Sequence, residues 1–348
     1  MIGQVLLAAG LLLPEPVTKP VRVVRRPVKV AIVAEEMPAH PGPSCPDDVQ
    51  AMVDYWTGAM DKEVANGPDV IVLPEICDCW KRGGTVTSAF LTDWYMRRGD
   101  RILKAFSAYA RQHRCYLVYA TTRNRPDGKW ANSSILIDRD GDVAGVYDKV
   151  YPTDGEIVST ERPIVPGKGP VVVDTDFGRV GFLICFDVNF RELAHEYAKL
   201  KPDVLFFSSH FDGDFARREW ARITGAWVVT SANEGLPKTI CDPCGGEWFR
   251  EHAYFRTVTR TINTSYGVFH LDGNWPKLTA LVKKYGSRIA VHDPGQVGTV
   301  LLTAETPELS VPALAKEAGL EYATDYFARS KSLREKAAAQ AAGEGKAR

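Results

Sequence analysis

The chain has 348 residues, of which 45% are hydrophobic and 25% are charged. This composition is ordinary for a globular protein and excludes a disordered, a collagen-like or a disulfide-scaffold chain. The 43 lysines and arginines balance the 43 aspartates and glutamates. A formal net charge of zero gives no electrostatic reason to expect a nucleic acid or an anionic membrane as a partner.

The cysteines argue against a secreted disulfide framework, because seven is an odd number in a long chain. Two close pairs, Cys77/Cys79 and Cys241/Cys244, leave a zinc site open as an alternative. The spacing of the first pair is unusual for structural zinc, and Cys244 falls in a turn-like run. We therefore expect free thiols, no metal and no cofactor.

Residues 2–13 form an apolar run at the N-terminus. The run is shorter than the roughly 20 residues that span a bilayer, and basic residues follow it instead of preceding it as in a signal peptide. We expect residues 1–27 to be an arm that packs on the core or on a partner. The interpretation is a cytoplasmic protein with no membrane span, and export is the alternative if the run acts as a signal.

From residue 28 onward, short β-rich runs alternate with helical stretches and hairpins. This exchange predicts mixed sheets covered by helices, an α/β layered architecture, in one domain over residues 28–330. An Ala/Lys-rich helical tail at 331–348 is expected to fray. In chain order the pattern predicts a strand at 29–35, a helix at 47–65 capped by Pro46-Asp47, a strand at 68–75, a helix at 97–113, a strand at 115–122, a hairpin at 133–149 turning at Asp140-Gly141, a hairpin at 171–185, a helix at 190–200, a strand at 203–209, a helix at 214–225 and a strand at 227–234.

Three predicted strands end in a charged or reactive residue: Glu75, Lys149 and Cys185. Ligands of α/β folds collect outside the carboxyl ends of strands, so these three side chains could converge on one site. Cys185 ends an apolar run and precedes a helical pattern, which is the context of a nucleophile presented at a sharp turn. Each residue taken singly has a simpler interpretation: a core cysteine, a capping glutamate and a solvated lysine.

Together the three motifs resemble the nitrilase superfamily of carbon–nitrogen hydrolases. The motifs are IVLPEI around Glu75, GVYDKVYPTDGE around Lys149 and VGFLICFDVNFREL around Cys185, in the order that the family has them. The resemblance covers residues 29–234 and implies a four-layer α-β-β-α sandwich of two mixed β-sheets flanked by helices. It also implies a Glu–Lys–Cys triad, a homo-oligomer (dimer or larger) and a second glutamate. Glu156 fits the place of that glutamate, and Glu161 is the alternative.

The resemblance assigns each residue a role. Cys185 would attack an amide or nitrile carbon, and Glu75 would act as general base and then as general acid. Lys149 and the backbone N–H of Phe186 would form the oxyanion hole. Glu156 would hold Lys149 or steer the second proton transfer. Two carboxylates beside one lysine would also raise the pKa of one carboxyl group.

Substrate choice follows less directly from the sequence. The resemblance suggests that the loops after Glu75 and after strand 203–209 line the pocket, which nominates Trp80, His210 and Phe211 as substrate contacts. Region 235–345 departs from the family pattern and could form a subunit interface or an extra wall of the site.

We expect a thiol-dependent hydrolase of a small-molecule amide, because Phe-Asp after the cysteine resembles the amidase-like members. One alternative is a nitrile or N-carbamoyl hydrolase of the same superfamily. A papain-like Cys–His hydrolase is another, but no histidine motif pairs with Cys185. A catalytically silent scaffold relative is the third, and it would have lost a member of the triad, whereas all three are present.

Overall fold

The computed structural model of the chain describes residues 13, 16–17, 19–233, 235–251, 254–295 and 298–344. Except for Leu13, the apolar run predicted to form an arm lies outside the described residues. Two compact units are present: unit 1 takes the described residues up to Val24 and Val28–Ile262, and unit 2 takes Arg25–Pro27 and the described residues from Asn263 onward. The boundary between the two units falls after Ile262, inside the predicted domain 28–330, because the residues beyond it build a sheet and a core of their own.

The secondary structure alternates strands and helices along most of the chain. The strands of the described residues are β1 Pro27–Val33, β2 Val70–Val72, β3 Tyr116–Asn124, β4 Trp130–Ile137, β5 Val143–Asp148, β6 Val172–Thr175, β7 Gly178–Ile184, β8 Val204–Ser209, β9 Trp227–Ala232, β10 Lys238–Cys241, β11 Glu247–Glu251, β12 Thr257–Asn263, β13 Tyr266–His270, β14 Ile289–His292 and β15 Thr299–Ala304. The helices are α1 Asp48–Val64, α2 Ser88–Arg98, α3 Arg101–His113, α4 Asp154–Ile157, α5 Arg191–Leu200, α6 Asp214–Thr224, α7 Trp275–Tyr285, α8 Val311–Ala318 and α9 Ala323–Glu344, with 3₁₀ helices at Cys185–Asn189 and Gly286–Arg288.

Unit 1 contains two six-stranded sheets, with strand orders β12-β1-β2-β3-β4-β5 and β11-β10-β9-β8-β7-β6. In each sheet three neighbouring strands run parallel, β1 to β3 in the first and β7 to β9 in the second. Antiparallel strands extend the parallel core, as β4 and β5 do in the first sheet and β6, β10 and β11 do in the second. Both sheets are therefore mixed, as the sequence predicts.

The two sheets face each other and helices cover their outer sides. The Ser208 hydroxyl donates to the carbonyl oxygen of Leu73 at 2.8 Å, and the Ser231 hydroxyl donates to that of Val33 at 2.9 Å, so each bond joins one sheet to the other. Side chains of α1, α2 and α3 pack with the first sheet in one apolar cluster, and side chains of α5 and α6 pack with the second sheet in another. The predicted four-layer α-β-β-α sandwich is confirmed.

The segment before α3 differs from the prediction. The expected helix 97–113 begins later, as α3 at Arg101, because Gly99 adopts a φ of 53° and ends α2, a helix that the sequence analysis did not predict. The Arg98 side chain is fully buried and pairs with Asp78 at 3.0 Å. A buried arginine obscures the apolar stripe that would have revealed α2 in the sequence.

Unit 2 is a three-stranded antiparallel sheet of order β13-β15-β14 with α7, α8 and α9. Its core includes Phe269, Leu302 and Val311. The predicted C-terminal helical tail begins earlier than residue 331, at Ala323, and its last residues lie outside the described ones. Among the helices described, none is long and apolar enough to cross a membrane.

Candidate active site

The predicted triad residues Glu75 and Lys149 meet in a buried ion-pair cluster after the ends of their strands. Glu75 follows β2, and Lys149 directly follows β5. The Nζ atom of Lys149 lies 3.0 Å from Oε1 of Glu75 and 2.8 Å from Oε2 of Glu156. The structure thus brings Glu156 to the lysine, whereas Glu161, the alternative, is exposed.

Cys185 directly follows β7 of the opposite sheet and lies in the same site. Its pKa responds to the charges of both Glu75 and Lys149. The thiol also receives a hydrogen bond from the backbone N–H of His210, which directly follows β8. Because β7 and β8 run parallel and pair side by side, their carboxyl ends bring Cys185 and His210 to one edge of the sheet.

Backbone strain occurs at both turns that present these groups. Ile76, directly after Glu75, has a φ of 40°, and Cys185 has a φ of 47°. Residues with a Cβ atom avoid this left-handed region, and a β-branched isoleucine avoids it most strongly. Such strain costs on the order of 1–3 kcal/mol at each position and clusters at functional sites. The two turns therefore have the character of a site that the surrounding fold holds in place.

Asp187 connects the turn at Cys185 to the segment that carries Lys149. Its Oδ2 accepts hydrogen bonds from the Ile184 N–H at 2.9 Å and from the Tyr147 hydroxyl at 2.8 Å, and its Oδ1 accepts one from the Tyr151 N–H at 2.8 Å. Burial raises the pKa of Asp187 to about 6 against the lowering effect of these donors. One carboxyl group therefore positions the Cys185 turn relative to the segment of Lys149.

Asn132 is the site residue that the sequence analysis missed. Its Nδ2 donates to Oε1 of Glu75 at 2.8 Å and to Oε1 of Glu156 at 2.9 Å, so one amide group bridges both carboxylates. The available signal was the polar run Asn132-Ser133-Ser134 inside a strand, β4, that is buried along its whole length. Polar residues in such a strand need partners, and those partners mark the site.

A capping box sets the position of Glu156. The Thr153 hydroxyl accepts from the Glu156 N–H at 3.3 Å, and Oε2 of Glu156 accepts from the Thr153 N–H at 2.8 Å. This is the reciprocal pattern that Thr-x-x-Glu forms at a helix start, here at α4. Thr153 and Glu156, which belong to the motif around Lys149, thus also have a local structural role as the cap of α4.

The charges of the cluster reinforce one another. Burial alone would lower the pKa of Lys149, but the carboxylates of Glu75 and Glu156 raise it above its ordinary value. Burial alone would raise the pKa of Glu156, but the charge of Lys149 and hydrogen bonds from Lys149, Asn132 and the Thr153 N–H hold it below its ordinary value. Glu156 thus does not show the rise that was expected for one of the two carboxyl groups, because Lys149 and the other donors outweigh burial.

The thiol of Cys185 is protonated at neutral pH. Burial, followed by the negative charge of Glu75, raises its pKa to about 12, against the lowering effects of Lys149 and the His210 N–H. A thiolate is the reactive form, so this cysteine needs a base that removes its proton. Oε2 of Glu75 is buried and has no hydrogen-bond partner among the described residues, so it is available to accept that proton.

A cavity of about 810 Å³ adjoins this cluster and is lined in part by Glu156 and His210. His210, one of the three residues predicted to contact substrate, lines this cavity, with Nε2 at 3.9 Å from Oε2 of Glu75. Trp80 does not: it is 2% exposed and packs in the core against Trp94, with ring centroids 5.4 Å apart. Phe211 packs against the second sheet's apolar cluster instead of lining the cavity. Trp80 and Phe211 were predicted to line the cavity because they lie in loops close in sequence to site residues. Neighbouring side chains of a loop point in different directions, so this closeness did not bring them to the cavity.

The remaining predicted residues can be placed as well. Phe186 follows Cys185 in the first turn of the 3₁₀ helix, where backbone N–H groups have no partner within the helix.

All seven cysteines are free thiols, and Cys77, Cys79, Cys241 and Cys244 are buried. The described part of the chain contains no group of three or more His, Cys, Asp or Glu side chains that could hold a metal ion.

Two facing mixed sheets, with Glu75, Lys149 and Cys185 after strand ends and a second glutamate in α4, are the features of the nitrilase class of α/β proteins. The chain belongs to the carbon–nitrogen hydrolase family, whose model matches residues 29–236.

Individual relatives are more distant. A hydrolase of Schizosaccharomyces pombe is 29% identical over 175 residues, which cover 47% of this chain and 52% of that protein. The chloroplastic omega-amidase of Arabidopsis thaliana is 22% identical over 214 residues, covering 58% of this chain and 55% of the relative. The chain therefore spans about half the length of these curated relatives. An amidase from Nesterenkonia sp. has a similar fold, with a TM-score of 0.57 and 17% identity over 70% of this chain and 92% of that chain.

Proposed function

We propose that the protein is a thiol-dependent hydrolase that cleaves the C–N bond of a small-molecule amide through an acyl-enzyme on Cys185. The observation that carries the proposal is the buried lysine held between two glutamates beside a cysteine on a strained turn. The catalytically silent alternative loses support from this geometry, because an inactive scaffold has no need of a strained thiol next to a charged cluster.

Acylation begins with a protonated thiol. Glu75 takes the proton as Sγ of Cys185 forms a bond to the carbonyl carbon, and the carbonyl oxygen becomes negatively charged. Lys149 and the backbone N–H of Phe186 stabilise that oxygen, because a fixed cation and a fixed donor act most strongly on charge that develops in the transition state. The raised pKa of Lys149 keeps its ammonium group charged for this role.

The tetrahedral species then collapses as the C–N bond breaks. Glu75 returns the proton to the leaving nitrogen, ammonia or an amine departs, and a thioester remains on Cys185. Water attacks the thioester while Glu75 takes one of its protons, and the acid product leaves as the thiol regains a proton. Glu156 holds Lys149 in place and keeps a second carboxylate near the proton transfers.

Preference for an amide over a nitrile is part of the proposal. The omega-amidase of Arabidopsis thaliana among the relatives and the Nesterenkonia amidase among the solved structures support it. A nitrile would form a thioimidate that must take up water before ammonia can leave. An amide needs only a proton delivered to nitrogen, which Glu75 is placed to supply.

The test is a panel of amides, nitriles and N-carbamoyl compounds assayed for ammonia release, with and without prior alkylation of thiols. We expect amide hydrolysis that alkylation abolishes and an acyl adduct on the Cys185 peptide in quenched intact-mass spectra. Cys45→Ala is the matched control for the loss of a thiol, because Cys45, like Cys185, is free and partly exposed. Faster hydrolysis of matched nitriles would move the protein to the nitrilase branch, and no turnover or adduct with any compound would refute an enzymatic role.

A further inference from the structure

An ion pair lies in the apolar cluster of the first sheet, three residues after Glu75. Asp78 and Arg98 are both fully buried, and Nε of Arg98 lies 3.0 Å from Oδ2 of Asp78. The guanidinium group also lies over the ring of Tyr95 at 5.0 Å, and Tyr95 and Cys77 belong to the apolar cluster. Because the cost of removing two charges from water often exceeds their mutual attraction, such a pair is weak evidence for stability. Its presence needs another reason.

Strand β3 supplies the hydrogen bonds that satisfy the pair. The Tyr119 hydroxyl donates to Oδ2 of Asp78 at 2.6 Å, and the Thr121 hydroxyl donates to Oδ1 at 2.9 Å. Nη2 of Arg98 donates to the Thr121 hydroxyl oxygen at 2.8 Å and to the Thr122 carbonyl oxygen at 2.7 Å. Thr121 thus bonds to both charged groups. The ion pair is therefore fixed to the strand that pairs with β2, the strand before Glu75.

The same network holds the turn that carries Glu75. Ile76, the next residue, has a φ of 40°, which persists at a β-branched residue only where the surroundings impose it. On the far side of Ile76, the Cys77 N–H donates to a carbonyl oxygen of β3 at 3.0 Å, and the indole N–H of Trp94 donates to the carbonyl oxygen of Asp78 at 2.9 Å. Asp78 is thus held through its backbone and its carboxyl group, and it anchors the end of the turn opposite to Glu75.

The two oxygens of Glu75 have different surroundings, so its orientation matters. Oε1 accepts from Nδ2 of Asn132 at 2.8 Å and from Nζ of Lys149 at 3.0 Å. Oε2 is buried and has no hydrogen-bond partner among the described residues, and the carboxylate interacts with the thiol of Cys185. A misplacement of about 1 Å in a reacting group can cost about 100-fold in rate. A base in this position therefore depends on how firmly its turn is held.

We infer that Asp78 and Arg98 are positioning residues of the reaction, whose ion pair holds the Glu75 turn where Glu75 can take the thiol proton of Cys185. The inference rests on the proposed function, because it needs Glu75 as the general base. Neither Asp78 nor Arg98 is among the described residues that line the cavity. An apolar pair of the same volume would fill the space but would not fix the orientation of the turn, because apolar attraction has no direction.

Asp78→Asn is the first test, because it keeps the size of the side chain but leaves the charge of Arg98 without its counter-ion. For the amide of the panel that is hydrolysed fastest, we expect kcat to fall at least tenfold and KM to stay within twofold. Alkylation of Cys185 by iodoacetamide at pH 7, followed by mass spectrometry of its peptide, should slow about tenfold, because the thiol has lost a well-placed base. The Cys45 peptide is the internal reference, since Cys45 is a free, partly exposed thiol.

Tyr119→Phe keeps the inference testable if Asp78→Asn does not fold. It removes one hydrogen bond to Asp78 and should lower kcat and the alkylation rate about two- to fivefold. Tyr109→Phe is its matched control, because the Tyr109 hydroxyl donates to Asp61 at 2.8 Å between α3 and α1. Asp69→Asn is the control for Asp78→Asn, because Asp69 directly precedes β2, at the other end of that strand, and pairs with an arginine at 2.8 Å. Both controls should keep kcat and the alkylation rate within twofold of wild type.

Glu75→Gln separates positioning from a general loss of stability. It should itself slow alkylation of Cys185 at least tenfold, and adding Asp78→Asn should change that rate less than twofold, because the position of the turn has no effect once the base is absent. A further tenfold loss in the double variant would overturn the inference. Wild-type kcat and alkylation rate in folded Asp78→Asn or Tyr119→Phe would do the same. Failure of the proposed function shows differently, as absence of ammonia release by the wild-type protein or as an alkylation rate that Glu75→Gln leaves unchanged.

Discussion

The backbone at Cys185 has a φ of 47°, which a residue with a Cβ atom adopts at a cost of about 1–2 kcal/mol. The thiol is also half-buried beside Glu75, and burial followed by the charge of Glu75 raises its pKa to about 12. Burial also raises the pKa of core cysteines such as Cys77 and Cys241, but none of these has a positive φ, so the backbone strain is what separates Cys185 from a small core residue. The chain therefore sacrifices stability at this position, which is expected where function and not packing determines the residue.

Replacing Cys185 by alanine and by glycine separates the chemistry from the strain. Both variants lose the thiol, so we expect both to lose turnover. Only glycine adopts a positive φ without strain, so Cys185→Gly should have a free energy of unfolding about 1 kcal/mol above that of Cys185→Ala. Urea unfolding and ammonia release measure the two effects. A tenth or more of wild-type activity in Cys185→Ala would place the nucleophile elsewhere.

Glu156→Gln tests the second carboxylate. The substitution keeps the size of the side chain but removes the charge that Lys149 faces at 2.8 Å. We expect kcat to fall about 100-fold, within the range for general acid–base groups, and KM to change little because the interaction matters mainly in the transition state. Glu161→Gln is the matched control, since Glu161 is exposed. Equal kcat values for the two variants would demote Glu156 to a structural role.

At the scale of elements, the segments that carry Cys185 and Lys149 come from different sheets, and they must keep a fixed distance and orientation to each other. β7 leads into the Cys185 turn and β5 leads into Lys149, and these strands belong to facing sheets. Asp187 joins them by accepting from Ile184 on one side and from Tyr151 on the other. The position of Cys185 relative to Lys149 thus depends on one buried carboxyl group in addition to sheet packing.

Asp187→Asn should weaken that connection. An asparagine has one acceptor oxygen and one NH₂ group, so whichever way it is oriented either the Ile184 N–H or the Tyr151 N–H faces a donor. We expect kcat to fall at least tenfold while the protein stays folded. Asp174→Asn, which removes a carboxylate of an exposed pair with Arg179, should keep full activity. An active Asp187→Asn enzyme would show that the sheets alone fix the turn.

The same carboxyl group predicts a pH dependence of stability. Its pKa is about 6 in the folded protein, above the ordinary value of 3.8. Between these values the folded state binds more protons than the unfolded state, so this contribution to the free energy of unfolding falls as pH rises from about 4 to about 6. The difference in unfolding free energy between wild type and Asp187→Asn should follow that fall. A difference independent of pH over this interval would contradict the raised pKa.

At the scale of the whole molecule, the candidate catalytic residues and every described lining residue of the cavity belong to unit 1. Unit 2 has its own antiparallel sheet and its own apolar core. The suggestion that region 235–345 adds a wall to the site gains no support from the cavity, whose described lining residues lie between 36 and 210. A substitution in the core of unit 2 should therefore lower stability without changing catalysis.

Leu302→Ala tests this separation. Leu302 is fully buried in β15, so its truncation should lower the free energy of unfolding of unit 2 by about 2–5 kcal/mol. We expect kcat/KM per folded molecule to stay within twofold of wild type. Leu205→Ala is the counterpart in unit 1, where Leu205 is equally buried and pairs with Gly181 of β7. It should lower both stability and activity, and loss of kcat/KM in folded Leu302→Ala would give unit 2 a part in the site.

The sequence by itself determined the layered α/β architecture, and its resemblance to the nitrilase superfamily nominated Glu75, Lys149, Glu156 and Cys185, which the structure gathers at one place. The architecture could be predicted because strand and helix periodicity and turn residues act over a few neighbouring positions. Predicted and observed elements agree closely for most of residues 29–232. The exceptions, such as α2, are segments whose apolar pattern a buried charge interrupts.

Only the tertiary structure decided which distant side chains share the site. Asn132 reaches Glu75 across 57 positions of the chain because β4 and β2 lie in one sheet. Trp80 packs in the core, although it is nearer to Glu75 in sequence. Arg82 and Arg162 line one cavity with Glu156 only once loops from different strands meet. Sheet register and helix packing set these contacts, and they depend on the whole chain, so no local pattern encodes them.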